Sequence, residues 1–260
     1  MEEKKKRRGL LKRDALGNIV FLKKLLISLL GAATYPRFKW LHKIAISGTE
    51  HLEGLPETNV LFVSNHQTYF ADVIAILHVF NSARFKFKNK IGAPVYLLAP
   101  RHNNYFVAAE ETMKAGILPK IFTYAGSVNI QRTFREAGKD INRQVKMDDI
   151  SKIGDALSDG WVLTFPQGTT TPFAPGRRGV THIIKKYGPV VVPVVIGGFN
   201  RAFDKKGLRV RNRKARLSIR FKPPMKLNLE MEPDLMLEQI MEAIEQSEKF
   251  KPASKSLTQA

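Results

Sequence analysis

The chain has 260 residues, 43% of them hydrophobic, which is enough for one large α/β domain with an appendage or for two small domains. It contains no cysteine, which excludes thiol nucleophiles, disulfides and thiolate metal sites and leaves oxygen and nitrogen groups for catalysis. Lysine and arginine outnumber aspartate and glutamate by 43 to 23, so the surface is expected to attract polyanions such as anionic lipid, nucleic acid, or a phosphorylated substrate or carrier.

The N-terminal segment, residues 1–42, is basic and contains an apolar run. Residues 1–24 hold nine basic and three acidic side chains, and residues 25–34 are almost entirely apolar. That run is about half of the roughly 20 residues that span a bilayer, so it predicts a helix lying in the membrane interface. Cationic and tryptophan side chains suited to headgroup level flank it: Lys23, Lys24, Arg37, Lys39, Trp40 and Lys43. A secretory signal and an ordinary core helix are the alternatives.

Residues 43–250 are predicted to form the α/β domain, and residues 251–260 a flexible tail. Short β-rich runs alternate with helical stretches, and several runs are apolar without alternation, which is typical of strands covered on both faces. We therefore expect a central, largely parallel or mixed sheet flanked by helices. The predicted strands are residues 43–47, 60–64, 96–99, 127–130, 161–165, 190–196 and 217–221. The predicted helices are residues 73–80, about 106–115, 148–157, 179–187 and 234–249.

Charge is unevenly placed in the last quarter of the chain. Residues 205–226 contain ten basic side chains and no acidic one, whereas residues 229–248 contain seven acidic side chains and no basic one. This pattern predicts a basic surface followed by an acidic helix.

The first segment able to do chemistry follows the apolar strand 60–64. Asn65 and His66 stand where that strand ends, and reactive groups in α/β sheets collect at such positions. Asp72 opens the next helix, and a turn that folds its carboxylate onto the imidazole would make His66 a general base without a serine. The alternative is a histidine at a strand end with Asp72 acting as a helix cap.

The second segment, residues 165–172, follows the apolar strand 161–164. Its backbone N–H groups and hydroxyls suit an oxyanion or phosphate, and Gly168 permits close backbone approach. Arg177 and Arg178 add two cations nearby. The alternative is an ordinary turn between a strand and a helix.

Two further segments are weaker candidates. Residues 126–132 form a short strand that ends in Arg132, whose guanidinium is suited to a bidentate phosphate clamp. Residues 192–198 form a buried strand ending in a glycine pair, which predicts an apolar wall or a simple strand end.

Together these segments resemble the glycerolipid acyltransferase family typified by 1-acylglycerol-3-phosphate acyltransferase. Four blocks of the family appear in order: Asn-His-x4-Asp, a Gly-x-x-Phe-Ile-x-Arg-like block, Phe-Pro-Glu-Gly-Thr-Arg-Ser, and a Val-Pro-Val-like strand. Their counterparts are Asn65-His66 with Asp72, residues 126–132, residues 165–171 and residues 192–198.

The resemblance implies transfer of a fatty acyl group from a coenzyme A or acyl carrier protein thioester to the hydroxyl of a lyso-lipid, without another cofactor or a metal. His66 would deprotonate the acceptor and Asp72 would orient His66. Substrate would be bound by Asn65, Arg132, Gln167, Gly168, Thr169, Thr170, Arg177 and Arg178. The resemblance also implies a monotopic or peripheral protein on the cytoplasmic face of the inner membrane, with membrane lipid, but no nucleic acid, as a partner.

The chain departs from the family pattern at three positions. Six positions separate His66 from Asp72, where the family has five, and on a continuous helix this would turn the carboxylate by about 100°. The family's Glu and Arg in the loop are Gln167 and Thr170 here, which weakens the case for a phosphomonoester acceptor. A lyso-aminolipid with an amino-acid head group is therefore an alternative acceptor.

Two other classes of function fit parts of the sequence. A non-enzymatic protein that binds membrane or nucleic acid would account for the net charge of +20. A metal hydrolase is disfavoured, because no two of the six histidines stand at helical ligand spacing.

Overall fold

The computed structural model describes residues 12–114, 116–131, 135–136, 139–140 and 147–252. The strands are β1 Ile44–Ser47, β2 Val60–Ser64, β3 Asn104–Ala109, β4 Ser127–Ile130, β5 Arg135–Glu136, β6 Lys139–Asp140, β7 Trp161–Thr164, β8 Val190–Gly197 and β9 Leu217–Phe221. The helices are α1 Val20–Pro36, α2 Ala71–Arg84, α3 Glu110–Lys114, α4 Ile117–Gly126, α5 Met147–Asp159, α6 Gly179–Tyr187, α7 Phe199–Ala202 and α8 Pro233–Ala243. A π-helical turn, Arg37–Leu41, follows α1, and short 3₁₀ helices form at Thr49–Leu52, Pro94–Leu97 and Glu248–Phe250.

Within the described residues, seven strands form one mixed sheet in the order β1-β9-β8-β2-β7-β3-β4. The five strands from β8 to β4 run parallel to one another, whereas β9 is antiparallel to β8 and carries β1 parallel to itself. Helices and loops bury both faces in two apolar clusters. The predicted α/β class with a largely parallel or mixed sheet is confirmed.

The central strands are apolar because both of their faces are covered. Every side chain of β2 and β7 is buried, which accounts for apolar runs without alternation. These two strands are parallel neighbours, and Val63 lies in register with Thr164. The segments that follow them, beginning at Asn65 and Phe165, therefore leave the sheet side by side at the same edge.

The predictions for residues 96–115 are partly wrong. Residues 96–99 are not a strand: the 3₁₀ helix Pro94–Leu97 begins at a proline, whose fixed φ suits a helix start. Residues 104–109, partly predicted as helix, form strand β3, which pairs on both sides with β7 and β4. Strand pairing across the sheet overrides the helix preference of Ala108 and Ala109, and the glutamates that follow them lie in helix α3.

Helix α1 packs against the domain with one face and presents another to solvent. Lys23 was predicted to lie at headgroup level, but the structure buries it: its Nζ is 2.6 Å from the Asp14 carboxylate and 4.1 Å from the Tyr105 ring centroid. The Asp14 carboxylate stabilises the buried lysine, and the Tyr105 contact joins α1 to β3. The exposed side includes Phe21, Leu22, Leu25 and Leu29. Among the described helices, none combines the length and the apolar character needed to cross a bilayer.

Candidate active site

The turn between β2 and α2, residues 65–70, is fixed to the neighbouring strand β8. The Asn65 amide donates to the carbonyl of Ile196 at 2.9 Å and accepts from the N–H of Ile196 at 2.8 Å. Gln67 accepts a bond from the N–H of Phe199. Asn65, predicted to bind substrate, has its amide occupied by these backbone bonds, and the turn leaves the sheet in one defined direction.

His66 and Asp72 meet at the start of α2. The imidazole Nδ1 lies 3.0 Å from Oδ2 of Asp72, whose carboxylate is fully buried. The same oxygen accepts the backbone N–H groups of Gln67 at 2.6 Å and Thr68 at 3.0 Å, and Oδ1 accepts the Thr68 hydroxyl. Four donors, one of them the imidazole itself, therefore hold the carboxylate at the Nδ1 edge of the ring.

The extra residue between His66 and Asp72 is accommodated outside the helix. α2 begins at Ala71, and residues 67–70 form a bend in which Phe70 has φ −125° and ψ −38°. Because that bend is not helical, the rotation of about 100° per helical residue does not apply. The carboxylate reaches the imidazole despite the spacing of six positions.

This geometry determines which nitrogen of His66 is available for chemistry. An ionised carboxylate only accepts, so the bond to Asp72 places the proton on Nδ1. Nε2 then carries a lone pair, and the His66 side chain is 12% exposed to solvent. The arrangement is able to take a proton from a hydroxyl at Nε2 while Asp72 stabilises the imidazolium that results.

Phe165, the first residue after β7, lies on the imidazole. The ring centroids of His66 and Phe165 are 3.9 Å apart in a stacked arrangement. Phe165 is not among the site residues predicted from the sequence. The adjacency of β2 and β7 was the missing information, since His66 stands two positions after the end of β2 and Phe165 one position after the end of β7.

The loop after β7 brings Gly168 and Arg177 together. Gly168 has φ +62°, and a Cβ at this position would stand 3.0 Å from Nε of Arg177. The N–H of Arg177 donates to the Pro166 carbonyl at 2.9 Å, which closes the loop. The positive φ favours glycine at this position, and a larger residue would have to displace the Arg177 guanidinium slightly. Arg177 is thus held at the predicted anion site.

Gln167 faces away from the predicted anion site. Its buried amide donates to the Ala174 carbonyl at 2.9 Å and to Oε1 of Gln246 at 3.3 Å, and that oxygen also accepts the N–H of Phe173. A neutral amide suits this buried position because its hydrogen bonds bring no charge into the interior of the fold. Gln167 therefore shapes the loop.

The remaining predicted binding residues are placed differently from one another. Thr169 and Thr171 bond to each other through their hydroxyls at 3.2 Å, and Thr170 beside them is half-buried. Arg178 makes a bidentate ion pair with Asp234 of α8, so its guanidinium fork is already occupied. Arg132 lies outside the described residues.

The described residues contain no group of three or more His, Asp or Glu side chains able to hold a metal ion.

Comparison with known proteins gives one family. The family model described as Acyltransferase matches residues 43–197, which is more than half of the chain. No curated protein matches. One similar solved structure is the 1-acyl-sn-glycerophosphate (LPA) acyltransferase PlsC from Thermotoga maritima, at 17% identity and a TM-score of 0.49, covering 86% of this chain and 77% of that one.

Proposed function

The chain belongs to the acyltransferase family, and from this premise we propose that it transfers a fatty acyl group from a coenzyme A or acyl carrier protein thioester to the hydroxyl of a lyso-lipid at a membrane surface. The observation that carries the proposal is the His66–Asp72 pair, with Nδ1 and Oδ2 3.0 Å apart at the edge where β2 and β7 end.

The proposed reaction is a direct transfer with His66 as base. Nε2 takes the proton of the acceptor hydroxyl as its oxygen attacks the thioester carbonyl, and the Asp72 carboxylate stabilises the imidazolium. The tetrahedral intermediate collapses with cleavage of the carbon–sulfur bond. The departing thiolate takes the proton back from Nε2, so the enzyme ends in its starting state and the reaction needs no metal or further cofactor.

The acceptor is proposed to be 1-acylglycerol-3-phosphate-like. We call residues 65–70, the turn that carries His66, the catalytic turn. Arg177, packed over Gly168, supports a negatively charged head group beside this turn, because a guanidinium matches phosphate geometry. Arg132 is proposed to bind the same head group on the basis of the family motif. The Thr169 and Thr170 hydroxyls are proposed to contribute neutral hydrogen bonds.

A second acceptor, a lyso-aminolipid with an amino-acid head, is favoured by one observation. The side chains that would complete a cationic clamp are engaged elsewhere or neutral: Arg178 pairs with Asp234, and Gln167 is buried in an amide pair with Gln246. A site with fewer cations suits a head group that carries its own positive charge.

Membrane attachment is proposed to use α1 within the N-terminal segment, residues 1–42, with the catalytic domain in residues 43–250. Phe21, Leu22 and Leu29 of α1 are each more than half exposed, and Trp40 is 74% exposed. An exposed apolar helix face followed by a tryptophan suits insertion at the depth of lipid headgroups.

The test is an acyl transfer assay with purified protein and radiolabelled thioesters of coenzyme A and of acyl carrier protein. The acceptors are lysophosphatidic acid, lysophosphatidylcholine, lysophosphatidylglycerol and a lyso-aminolipid, and the products are identified chromatographically. We expect labelled diacyl product from lysophosphatidic acid. His66→Ala should lower the rate by about 10²- to 10⁴-fold while preserving the circular dichroism spectrum. Wild-type turnover by the folded His66→Ala protein would contradict the mechanism.

A further inference from the structure

A run of positive charge, residues 205–216, lies between α7 and β9, and we name it the basic ribbon. Each of its lysines and arginines is exposed, and it contains no acidic residue. Six of these cations have no ion pair with any residue that the structure describes: Lys205, Lys206, Arg209, Arg213, Lys214 and Arg216. The more distant cations Arg220 and Lys222, in contrast, are paired with Glu245.

The basic ribbon is attached directly to the catalytic turn. The N–H groups of Tyr69 and Phe70 donate to the carbonyls of Lys205 and Lys206 at 3.0 and 3.1 Å. Gly207 has φ +77°, and a Cβ there would stand 2.6 Å from the N–H nitrogen of Ala71, so the close contact requires glycine. The charge is therefore held beside the turn that carries His66.

In the part of the chain that the structure describes, Arg211 is the ribbon cation that has a carboxylate partner. The nearest carboxylate in the chain, Asp204, accepts the N–H groups of Leu208 and Arg209, and Arg211 is the ribbon cation that interacts with it. Unpaired like charges raise the local positive potential, and such a field steers an acidic partner towards the adjacent site.

The basic ribbon lacks the exposed apolar side chains that insert into a bilayer. Surfaces that lie in a membrane interface combine cations with exposed apolar side chains. No large hydrophobic side chain in residues 205–216 is exposed, whereas such side chains are exposed on α1, at Trp40 and at Leu98. The basic ribbon thus offers charge alone, which suits a folded acidic surface that remains in water.

Resting on the function proposed above, we propose that the basic ribbon is the docking surface for an acidic acyl carrier protein that delivers the acyl thioester to His66. The carrier's acidic surface lies on the ribbon, and its prosthetic arm extends across the catalytic turn into the site. This docking makes the carrier thioester, rather than the coenzyme A thioester, the preferred donor.

The first experiment measures binding without turnover. A palmitoyl-loaded acyl carrier protein is titrated into the His66→Ala protein by calorimetry, with and without the added changes Arg209→Glu and Arg213→Glu. The matched control adds Lys86→Glu and Lys186→Glu, which alter the charge equally at two exposed positions outside the ribbon. We expect affinity to fall at least tenfold in the ribbon variant and less than twofold in the control, with weakening of the unmodified complex by salt. Equal affinities in all three proteins would overturn the proposal.

The second experiment separates this proposal from its alternatives. Co-sedimentation with vesicles of phosphatidylglycerol and phosphatidylcholine is measured for the same variants. Loss of vesicle binding with unchanged carrier affinity in the ribbon variant would assign the ribbon to the membrane and overturn the proposal.

Transfer rates with both donors distinguish docking from catalysis. With His66 present, the ratio of carrier-supported to coenzyme A-supported transfer should fall at least tenfold in the ribbon variant. An unchanged ratio would overturn the preference for the carrier. If neither donor supports transfer while carrier binding still depends on the ribbon, docking stands and the proposed reaction fails.

Discussion

The imidazole of His66 lies nearly flat against the ring of Phe165, with their planes inclined by 21° and their centroids 3.9 Å apart. Asp72 holds the Nδ1 edge of the same imidazole. The stack restricts rotation of the ring, and the face of a benzyl ring favours a positive charge above it. In the reaction proposed above, Phe165 therefore holds His66 in the orientation needed for proton transfer.

Phe165→Leu is expected to lower kcat about tenfold, with a smaller effect on KM, because the loss falls on the proton-transfer step. Phe165→Tyr retains the aromatic face and should keep kcat within about twofold of the wild type. Steady-state kinetics with a saturating thioester measure both. A leucine variant as fast as the tyrosine variant would show that the stack has no part in the reaction.

Asp72→Asn is expected to lower kcat by roughly 10²-fold or more. The amide offers one acceptor oxygen in place of two, and it carries no negative charge to stabilise the imidazolium that forms at His66. Single-turnover rates measure the chemical step.

The control for the Asp72 variant is Thr68→Val. This change removes the hydroxyl bond to Oδ1 while leaving the His66–Asp72 bond in place. Thr68→Val should reduce the melting temperature with a much smaller effect on the chemical rate. Similar rate losses in the two variants would indicate that Asp72 acts through the stability of the turn.

Leu25→Asp combined with Leu29→Asp is expected to release the protein from vesicles. Both leucines are exposed on α1, at 48% and 61%, so the change removes apolar surface from the proposed membrane face while sparing the core. Leu229→Asp with Leu235→Asp, at exposed positions of 42% and 53% elsewhere, is the matched control. Co-sedimentation that is equal in both variants would place the membrane contact elsewhere.

The protein is expected to lose stability in mild acid through His78. Burial lowers the pKa of this histidine from 6.5 to about 4, and its ring nitrogens bond to Thr34 and Tyr96. Between these two pKa values the unfolded chain binds more protons, so stability declines as pH falls from 6.5 towards 4. The contribution of this residue between pH 7 and pH 5 is about 2 kcal/mol.

Urea unfolding at pH 7 and pH 5 measures this contribution. The double variant His78→Leu, Tyr96→Phe should show a smaller loss of stability between the two pH values than the wild type. Tyr96→Phe alone should keep the wild-type difference, because His78 remains buried. An unchanged difference in the double variant would assign the pH dependence to other groups, such as His42 and His102, whose pKa values burial also lowers.

The sequence by itself determined the fold class and most of the central sheet. Strands β2, β7 and β8 are apolar runs bounded by turn residues, and that information is local. It also made His66 a candidate base, because a histidine at the end of a buried strand is visible without knowing which strands are neighbours. The family match over residues 43–197 agrees with the resemblance drawn from those residues.

The tertiary structure decided every relationship that joins distant parts of the chain. Asp72 reaches His66 because the bend at residues 67–70 is held by the backbone of Lys205 and Lys206. Phe165 meets His66 because β2 and β7 are parallel neighbours. Strand β3 and the burial of Lys23 likewise depend on partners far away in sequence. Local residue patterns encode most of the strands and helices, whereas hydrogen bonds and burial between separated segments decide the rest and fix which side chains come within reach of one another.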